Sequence, residues 1–217
     1  MYSPVPNHGT YSSPLRNPET RDQLMTAAYS VAPDKTRWLE WDGWRSEGEQ
    51  FKVGWDYTNA DVIVKLDCDE CWFPGLLESV VCHAVPLQQH ETRIALRHYW
   101  RSFRKAFTHD PAAPGRVYLR HMSGGAGTYH ASPDQDDSVF RLHHFGYALP
   151  VDVTRYKMSI HGHAHQFRQD CDWFNDVFLA NRQYDCHPVG SEYWNTEAVD
   201  VPEFLRDHPF AGLDIIK

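Results

Sequence analysis

The segment between residues 61 and 75, DVIVKLDCDECWFPG, constrains the fold more than any other part of the chain. Its apolar run at residues 62–66 is too continuous for a half-exposed strand and predicts a central parallel strand. Three carboxylates follow the run directly: Asp67, Asp69 and Glu70. In α/β sheets, ligands bind beyond the carboxyl ends of the strands. The segment therefore predicts a ligand site where this strand ends.

The two aspartates need a partner of opposite charge. Asp67 and Asp69 share a face if the strand continues through them, and they converge on one point if a turn begins there. Like charges in a partly dry site raise each other's pKa, so bringing them together is costly. Mg²⁺ or Mn²⁺ offsets this cost, and commonly takes one or two carboxylates with phosphates and water as its other ligands. A solvated turn at the strand end is the alternative.

The remaining patterns predict a single α/β domain with a mixed, mainly parallel central sheet flanked by helices. We expect this domain over residues 1–182 and an irregular tail over residues 183–217. The first helix is predicted to start at Asn17, and residues 123–138 are predicted to form a long loop. Further helices are predicted at residues 46–58, after Pro74, at 151–166 and at 169–182, and strands at 36–41, 93–100, 116–122 and 139–145.

Composition narrows the possible partners. With 217 residues and 41% hydrophobic residues, the chain is long and apolar enough to bury a sizeable core. A net charge of −8 argues against a protein that is basic all over and coats nucleic acid. Five cysteines without a secretory hydrophobic segment favour reduced thiols and a cytoplasmic location. The sequence has no apolar run long enough for a membrane span.

Residues 93–121 depart from this acidic balance. They could face phosphates or an acidic polymer, or they could form a solvated strand pair. The basic side chains of this stretch, called the basic stripe below, are Arg93, Arg97, Arg101, Arg104, Lys105, Arg116 and Arg120.

Two segments carry a resemblance to a known family. ADVIVKLDCDECWFPGLLESV (residues 60–80) resembles the Asp-X-Asp segment of the GT-A glycosyltransferases, in particular the family 2-like bacterial and viral enzymes. FRLHHFGYALPVDVTRYKM (140–158) resembles the element in which a strand delivers His-X-Gly-Tyr and the next helix carries a lysine. The resemblance extends over roughly residues 17–166. It implies a GT-A-like fold and inverting transfer of a sugar from a nucleotide diphosphate sugar, with a UDP-sugar as the expected donor.

The resemblance also implies roles for individual residues. Asp67 would contact the ribose or the metal, Asp69 would bind the metal, and His144 would complete its shell. An imidazole ligand favours Mn²⁺ over Mg²⁺. Lys157 would reach an oxygen of the diphosphate, so that metal and lysine together neutralise the leaving group.

Other residues are candidates for catalysis or substrate contact. The candidate bases are Glu70, beside the metal, and the loop acids Asp134, Asp136 and Asp137, of which we select Asp137; a solvated loop is the alternative for these three. Trp72 and Tyr147 are candidates for stacking on a sugar or a base. Arg116 and Arg120 are candidate contacts for a phosphate or the acceptor.

The start of the chain departs from the family pattern. GT-A enzymes begin with a βαβ unit of about 30 residues or more that holds the donor's base, and nothing before residue 17 has an apolar strand pattern. We therefore expect a shortened domain, or a partner chain or second copy that completes the donor site. The acceptor is a saccharide or lipid-linked saccharide, or a hydroxymethylated DNA base of a viral system. The alternatives are a non-catalytic nucleotide- or sugar-binding module and a metal-dependent phosphoesterase.

Overall fold

The computed structural model describes residues 20–39, 47–108, 113–130, 140–160, 172–180, 185–186 and 193–212. The helices in this part of the chain are α1 (Arg21–Val31), α2 (Glu47–Tyr57), α3 (Leu76–Ala84) and α4 (Val151–Ile160), with a π-helical segment at Trp173–Leu179 and a 3₁₀ turn at Glu203–Leu205. None of them is both long and apolar enough to cross a membrane.

The described residues contain eleven short strands, which lie between and after these helices. They are β1 (Val62–Val64), β2 (Glu70–Cys71), β3 (Gln89–Ile94), β4 (Leu96–Trp100), β5 (Lys105–Phe107), β6 (Gly115–Leu119), β7 (Gly124–Tyr129), β8 (Leu142–Tyr147), β9 (Asp185–Cys186), β10 (Tyr193–Trp194) and β11 (Thr196–Ala198).

The strands form two larger mixed sheets and one small pair. One sheet has the order β1-β6-β3-β7, the other has the order β11-β5-β4-β8-β2, and β9 pairs with β10. The pairs β3–β7 and β4–β8 are parallel. The other pairings between described strands are antiparallel. The α/β class with a mixed sheet is therefore confirmed, whereas a mainly parallel sheet is not.

The prediction of a central parallel strand at residues 62–66 was wrong. Strand β1 is three residues long and pairs antiparallel with β6, with Val62 opposite Leu119. Val62 and Val64 are half-buried against the core, and Leu66 is exposed. A short apolar run reports contact with a core, but it carries no information about the direction of its neighbouring strand.

Helix α3 packs the first core cluster. Its buried face presents Leu76, Val80 and Ala84, which recur at helical spacing. They pack against buried side chains from β3, β6 and β8, including Ile94 and Val117. This packing fixes the chain that leads out of the acidic segment, because α3 begins only a few residues after it.

Residues 193–212, which lie in the segment expected to be an irregular tail, contribute to the sheet and the core of the domain. Strand β11 pairs antiparallel with β5 and forms one end of the five-stranded sheet. Leu205 and Ala211 are buried against Tyr99, Phe103 and Phe145. Short polar stretches separate these apolar residues, so the sequence shows no regular apolar pattern that predicts this packing.

Three local predictions also differ from the structure. Helix α1 begins at Arg21, with Thr20 and Gln23 forming a capping box, whereas Asn17 lies outside the described residues. Residues 36–39 do not form a strand. Strand β7 lies within the predicted loop at 123–138, because its glycine-rich sequence pairs with β3 through the backbone.

Candidate functional site

Strand β8 holds the acidic segment in place. The antiparallel pairing of β2 with β8 sets Glu70 opposite His144. The backbone N–H of Phe145 donates to the carbonyl of Asp69 at 2.8 Å, which continues the pairing into the turn before β2. The backbone itself therefore brings Asp69 and His144 together, although they are 75 positions apart in the chain (144 − 69).

Asp69, His144 and Lys157 form one compact group, which we call the Asp69 cluster. The ammonium of Lys157, on α4, donates to Oδ2 of Asp69. Nε2 of His144 lies 3.5 Å from the same oxygen. The side chains of Asp69 and His144 are only 10% and 12% exposed, and that of Lys157 is 23% exposed. The structure thus brings together three of the residues that the sequence predicted.

Gly146 makes this close approach possible. A Cβ atom at this position would lie closer than 3.0 Å to Nζ of Lys157, to Cε1 of His144 and to Oδ2 of Asp69. Any side chain would therefore push the Asp69 cluster apart. The glycine of the HHFGY sequence lies inside strand β8, so no turn requires it. It is required because the three side chains of the cluster leave no room for a Cβ atom.

Asp69 is held in its ionised form. Burial opposes ionisation, but the hydrogen bond from His144 and the charge of Lys157 outweigh it and hold the pKa of Asp69 well below its usual range. Tyr147 responds in the opposite way: burial, with a smaller contribution from the charge of Asp69, raises the pKa of its phenol. The site therefore contains an ionised, largely buried carboxylate near a neutral phenol.

Aromatic rings surround the imidazole of His144. The ring of His98 meets it edge-on, with 4.3 Å between the ring centroids. Nδ1 of His144 is buried and has no hydrogen-bond partner among the described residues. The ring of Tyr147 lies 5.7 Å from Nζ of Lys157, within the range of a cation–π interaction. The imidazole is thus fixed by packing on one side and faces Asp69 on the other.

Arg116 binds the other two carboxylates of the acidic segment. Its Nε and Nη2 donate to the two oxygens of Glu70, at 2.9 and 2.5 Å. Nη2 also donates to Oδ2 of Asp67 at 2.9 Å. The Glu70 side chain is 1% exposed, so Glu70 is a buried anchor and not an accessible catalytic base. Burial lowers the pKa of Arg116, but the hydrogen bonds to Glu70 more than compensate and raise it.

The two aspartates therefore have two different cationic partners. Asp67 is paired with Arg116 and Asp69 with Lys157. The expected repulsion between them is relieved by the chain itself. Within the described ranges, no three side chains among His, Cys, Asp and Glu gather as a metal-binding group.

Asp69 and His144 nevertheless fit two positions in the shell of a divalent cation. An ionised carboxylate and an imidazole within 3.5 Å of each other suit Mn²⁺. Cations at nucleotide sites usually take one or two protein ligands and complete their shell with phosphates and water. The donor set thus suits a cation that binds together with a phosphate-bearing ligand. Asp67, tied to Arg116, was predicted as a further ligand and is not part of the Asp69 cluster.

Arg120 does not lie at the Asp69 cluster. Its guanidinium donates to the carbonyls of Trp55 and Thr58, both at 2.6 Å, and to that of Ala60 at 3.2 Å. It also lies over the ring of Trp55, 4.5 Å from its centroid. Arg120 therefore caps the C-terminal end of α2, and its predicted role as a substrate contact is replaced by a structural one.

Three more predicted site residues can be placed or set aside. Tyr147 is 2% exposed and belongs to a buried aromatic cluster with Trp100, so it has no free face for a sugar. Trp72 is partly buried against the first core cluster. Its Nε1 is buried and has no hydrogen-bond partner in the part of the chain that the structure describes. Asp137, like Asp134 and Asp136, lies outside the described residues.

Much of the basic stripe is paired within the protein. Besides Arg116 and Arg120, Arg93 pairs with Glu91 and Arg97 with Glu197. The guanidinium of Arg101 donates to the carbonyl of Val177 and lies against the ring of Trp100. Arg97 and Arg101 join separate elements of the domain. Arg93 pairs within its own strand and, like Arg104, is exposed, so the stripe is engaged in part and exposed in part.

Comparison with protein-family models, with curated proteins and with solved structures finds no match for the chain. The chemistry of the Asp69 cluster and the resemblance of the two motifs are therefore what supports a function. The sequence patterns missed the role of Arg116 as the partner of Asp67 and Glu70, although it is one of the arginines in the basic stripe. Gly146 could have been singled out, since it stands between His144 and Tyr147 in the second motif.

Proposed function

We propose that the chain transfers a sugar from a nucleotide diphosphate sugar, with a UDP-sugar as the first candidate, to an acceptor hydroxyl. The observation that carries this proposal is the Asp69 cluster, in which a largely buried carboxylate contacts both an imidazole and a lysine ammonium. Leaving-group departure in such a transfer creates negative charge on a diphosphate. A site that combines a lysine ammonium with ligands for a divalent cation suits that charge.

Each residue of the cluster then has a chemical role. Lys157 supplies a compact positive charge for the diphosphate oxygens. Asp69 and His144 would hold Mn²⁺ or Mg²⁺, which would supply further neutralisation of the leaving diphosphate. Glu70 and Arg116 keep the turn that carries Asp69 against β8, because Glu70 pairs with β8 through its backbone and with Arg116 through its side chain.

The finer points of this function are proposals as well. An α/β domain with mixed sheets accommodates a GT-A-like fold, and the motif resemblance favours inversion at the anomeric carbon. Asp137 is the proposed base for the acceptor hydroxyl. A saccharide is the favoured acceptor over a hydroxymethylated DNA base, because much of the basic stripe is engaged within the domain. We further propose a cytoplasmic location, and a second copy or a partner chain that completes the donor pocket.

Calorimetric titration of the full chain with UDP, GDP and their sugar conjugates, with and without Mn²⁺, tests the donor site. We expect Mn²⁺-dependent binding that Asp69→Asn abolishes. Asp61→Asn is the matched control, because Asp61 is 84% exposed and lies just before β1. An absence of binding to all of these nucleotides would contradict the proposal for this chain acting alone.

A second assay distinguishes a transferase from a phosphoesterase and from a non-catalytic binding module. We expect free nucleoside diphosphate to appear only when an acceptor sugar is added to the chain and the donor. Release of nucleotide at the same rate without an acceptor would instead identify a hydrolase, and nucleoside monophosphate with sugar 1-phosphate as the products would identify a phosphoesterase. Nucleotide binding without turnover across an acceptor panel would identify a binding module.

A further inference from the structure

We infer that Lys157 and a divalent cation compete for the carboxylate of Asp69, so that the cation and a diphosphate bind to this chain cooperatively. The inference deepens the proposed function and rests on it, because the diphosphate is the group that would draw Lys157 away. It assigns Lys157 a second role: in the absence of ligand, its ammonium occupies the place of the cation.

The contacts on one oxygen atom carry the first step. Lys157 donates to Oδ2 of Asp69, and Nε2 of His144 lies 3.5 Å from that same Oδ2. A cation that takes Oδ2 of Asp69 and Nε2 of His144 as ligands lies beside this oxygen and this nitrogen. The ammonium already lies at this oxygen, and two positive charges so close together in a partly buried site repel each other. The two cations therefore exclude each other from the Asp69 cluster.

Burial identifies which group moves. Asp69 is fixed by the backbone bond to Phe145, and its side chain is 10% exposed. His144 lies in β8 with its ring against His98. Lys157 is the most exposed member of the cluster, at 23%, and carries its charge on a flexible four-carbon chain. Lys157 is thus the member that can withdraw while the two ligands stay in place.

The backbone at Gly146 limits the directions in which the Lys157 ammonium can move. A Cβ at Gly146 would already contact Nζ of Lys157, so the backbone of β8 forms one wall of its position. The ammonium can leave only away from that wall, towards the partly exposed side of the cluster. A diphosphate bound at this side would accept hydrogen bonds from Lys157 and leave Asp69 open to the cation.

Cooperative binding follows from this exchange. A cation that binds alone must displace the ammonium without offering it a new anion. A diphosphate that binds first supplies that anion, and so raises the affinity for the cation. By linkage, the cation raises the affinity for the diphosphate by the same factor, typically about 5- to 150-fold.

The test is a titration of the full chain with Mn²⁺, monitored by the electron paramagnetic resonance signal of free Mn²⁺, with and without UDP or GDP. The formation of Mn²⁺–nucleotide complexes in solution is measured separately and subtracted. The variants are Lys157→Met, which removes the competing charge, and Lys157→Arg, which keeps it. Lys52→Met is the matched control, because Lys52 is exposed on α2 and its loss changes the net charge equally.

We expect Lys157→Met to bind Mn²⁺ alone about tenfold more tightly than the wild type, and to lose most of the nucleotide-dependent gain in Mn²⁺ affinity. Lys157→Arg and Lys52→Met should bind Mn²⁺ alone as weakly as the wild type. Circular dichroism and a thermal transition check that each variant is folded. Lys157→Gln serves the same comparison if the Met variant does not fold.

Two failures can be told apart. If the wild type binds Mn²⁺ with UDP or GDP, but Lys157→Met and Lys157→Gln bind Mn²⁺ alone no more tightly than the wild type, the competition is overturned and the donor site stands. If the wild type binds neither nucleotide with Mn²⁺, the proposed function fails, and the cooperative exchange fails with it.

Discussion

Glu70 and Arg116 form a two-pronged ion pair inside the protein, although they are 46 positions apart in the chain. The Glu70 side chain is 1% exposed and that of Arg116 is 6% exposed. The pair joins the turn that carries Asp69 to strand β6. Two charges buried to this degree depend on each other, because each would otherwise remain unpaired in a dry environment.

We predict that Arg116→Met destabilises the protein by about 3–5 kcal/mol, because it leaves the charge of Glu70 buried without its partner. Urea denaturation at neutral pH measures the change. Arg93→Met is the matched control: Arg93 pairs with Glu91 at the surface, and its loss should cost about 1 kcal/mol or less. The double variant Glu70→Leu/Arg116→Met should recover much of the loss. A cost for Arg116→Met as small as the control's would show that the pair is not important for stability.

The sequence predicted the members of the Asp69 cluster but not the Glu70–Arg116 pair beside it. Asp69 lies in the first motif, and His144 and Lys157 lie in the second. Both motifs resemble their family counterparts over about 20 residues, and this resemblance predicted that the three side chains share one site. The pairing of Arg116 with Glu70 depends on how β6 lies against the acidic segment. This arrangement cannot be predicted from the pattern of a single sequence. The sequence therefore identified Glu70 as a charged group near the site without revealing that it is buried.

The apolar patterns in the sequence also failed to predict the direction of β1 and the packing of the C-terminal segment. The apolar residues of β1 are consistent with a parallel or an antiparallel neighbour. Strand β11 is three residues long and contributes to the five-stranded sheet through backbone pairing with β5. The predicted helices at residues 46–58 and after Pro74 match α2 and α3, because their apolar residues recur at helical spacing.

Gly146→Ala should separate the members of the Asp69 cluster. The added methyl group would overlap Lys157, His144 and Asp69, so we expect a destabilisation of about 1–3 kcal/mol, typical of overpacking. We also expect the Mn²⁺-dependent nucleotide binding to be lost while the variant remains folded. Calorimetric titration and urea denaturation measure the two effects. Gly125→Ala is the matched control in β7, where a Cβ would meet nothing within 4 Å. Unchanged nucleotide binding by Gly146→Ala would exclude the Asp69 cluster as the donor site.

Arg120→Ala should affect stability without affecting ligand binding. It removes the hydrogen bonds from one charged group to the carbonyls of Trp55, Thr58 and Ala60, and we expect a loss of about 2–3 kcal/mol. Hydrogen exchange should accelerate in α2 more than in α3. Nucleotide affinity should stay within about twofold of the wild type, since a difference below 0.5 kcal/mol is expected for a site that Arg120 does not touch. A selective loss of nucleotide affinity would restore Arg120 as a substrate contact.

The ionisation of Asp69 should make the protein sensitive to acid. Its pKa in the folded state lies below the usual value of 3.8, so the ionised form stabilises the folded protein at neutral pH. That contribution is complete above the unfolded pKa and is lost as the pH falls from there towards the folded pKa. Between about pH 5 and pH 3, the wild type should lose about 1 kcal/mol more stability than Asp69→Asn, which has no carboxyl group to titrate. Urea denaturation at a series of pH values measures this, with Asp61→Asn expected to follow the wild type. Parallel pH profiles for the wild type and Asp69→Asn would show that Lys157 and His144 do not hold Asp69 in its ionised form.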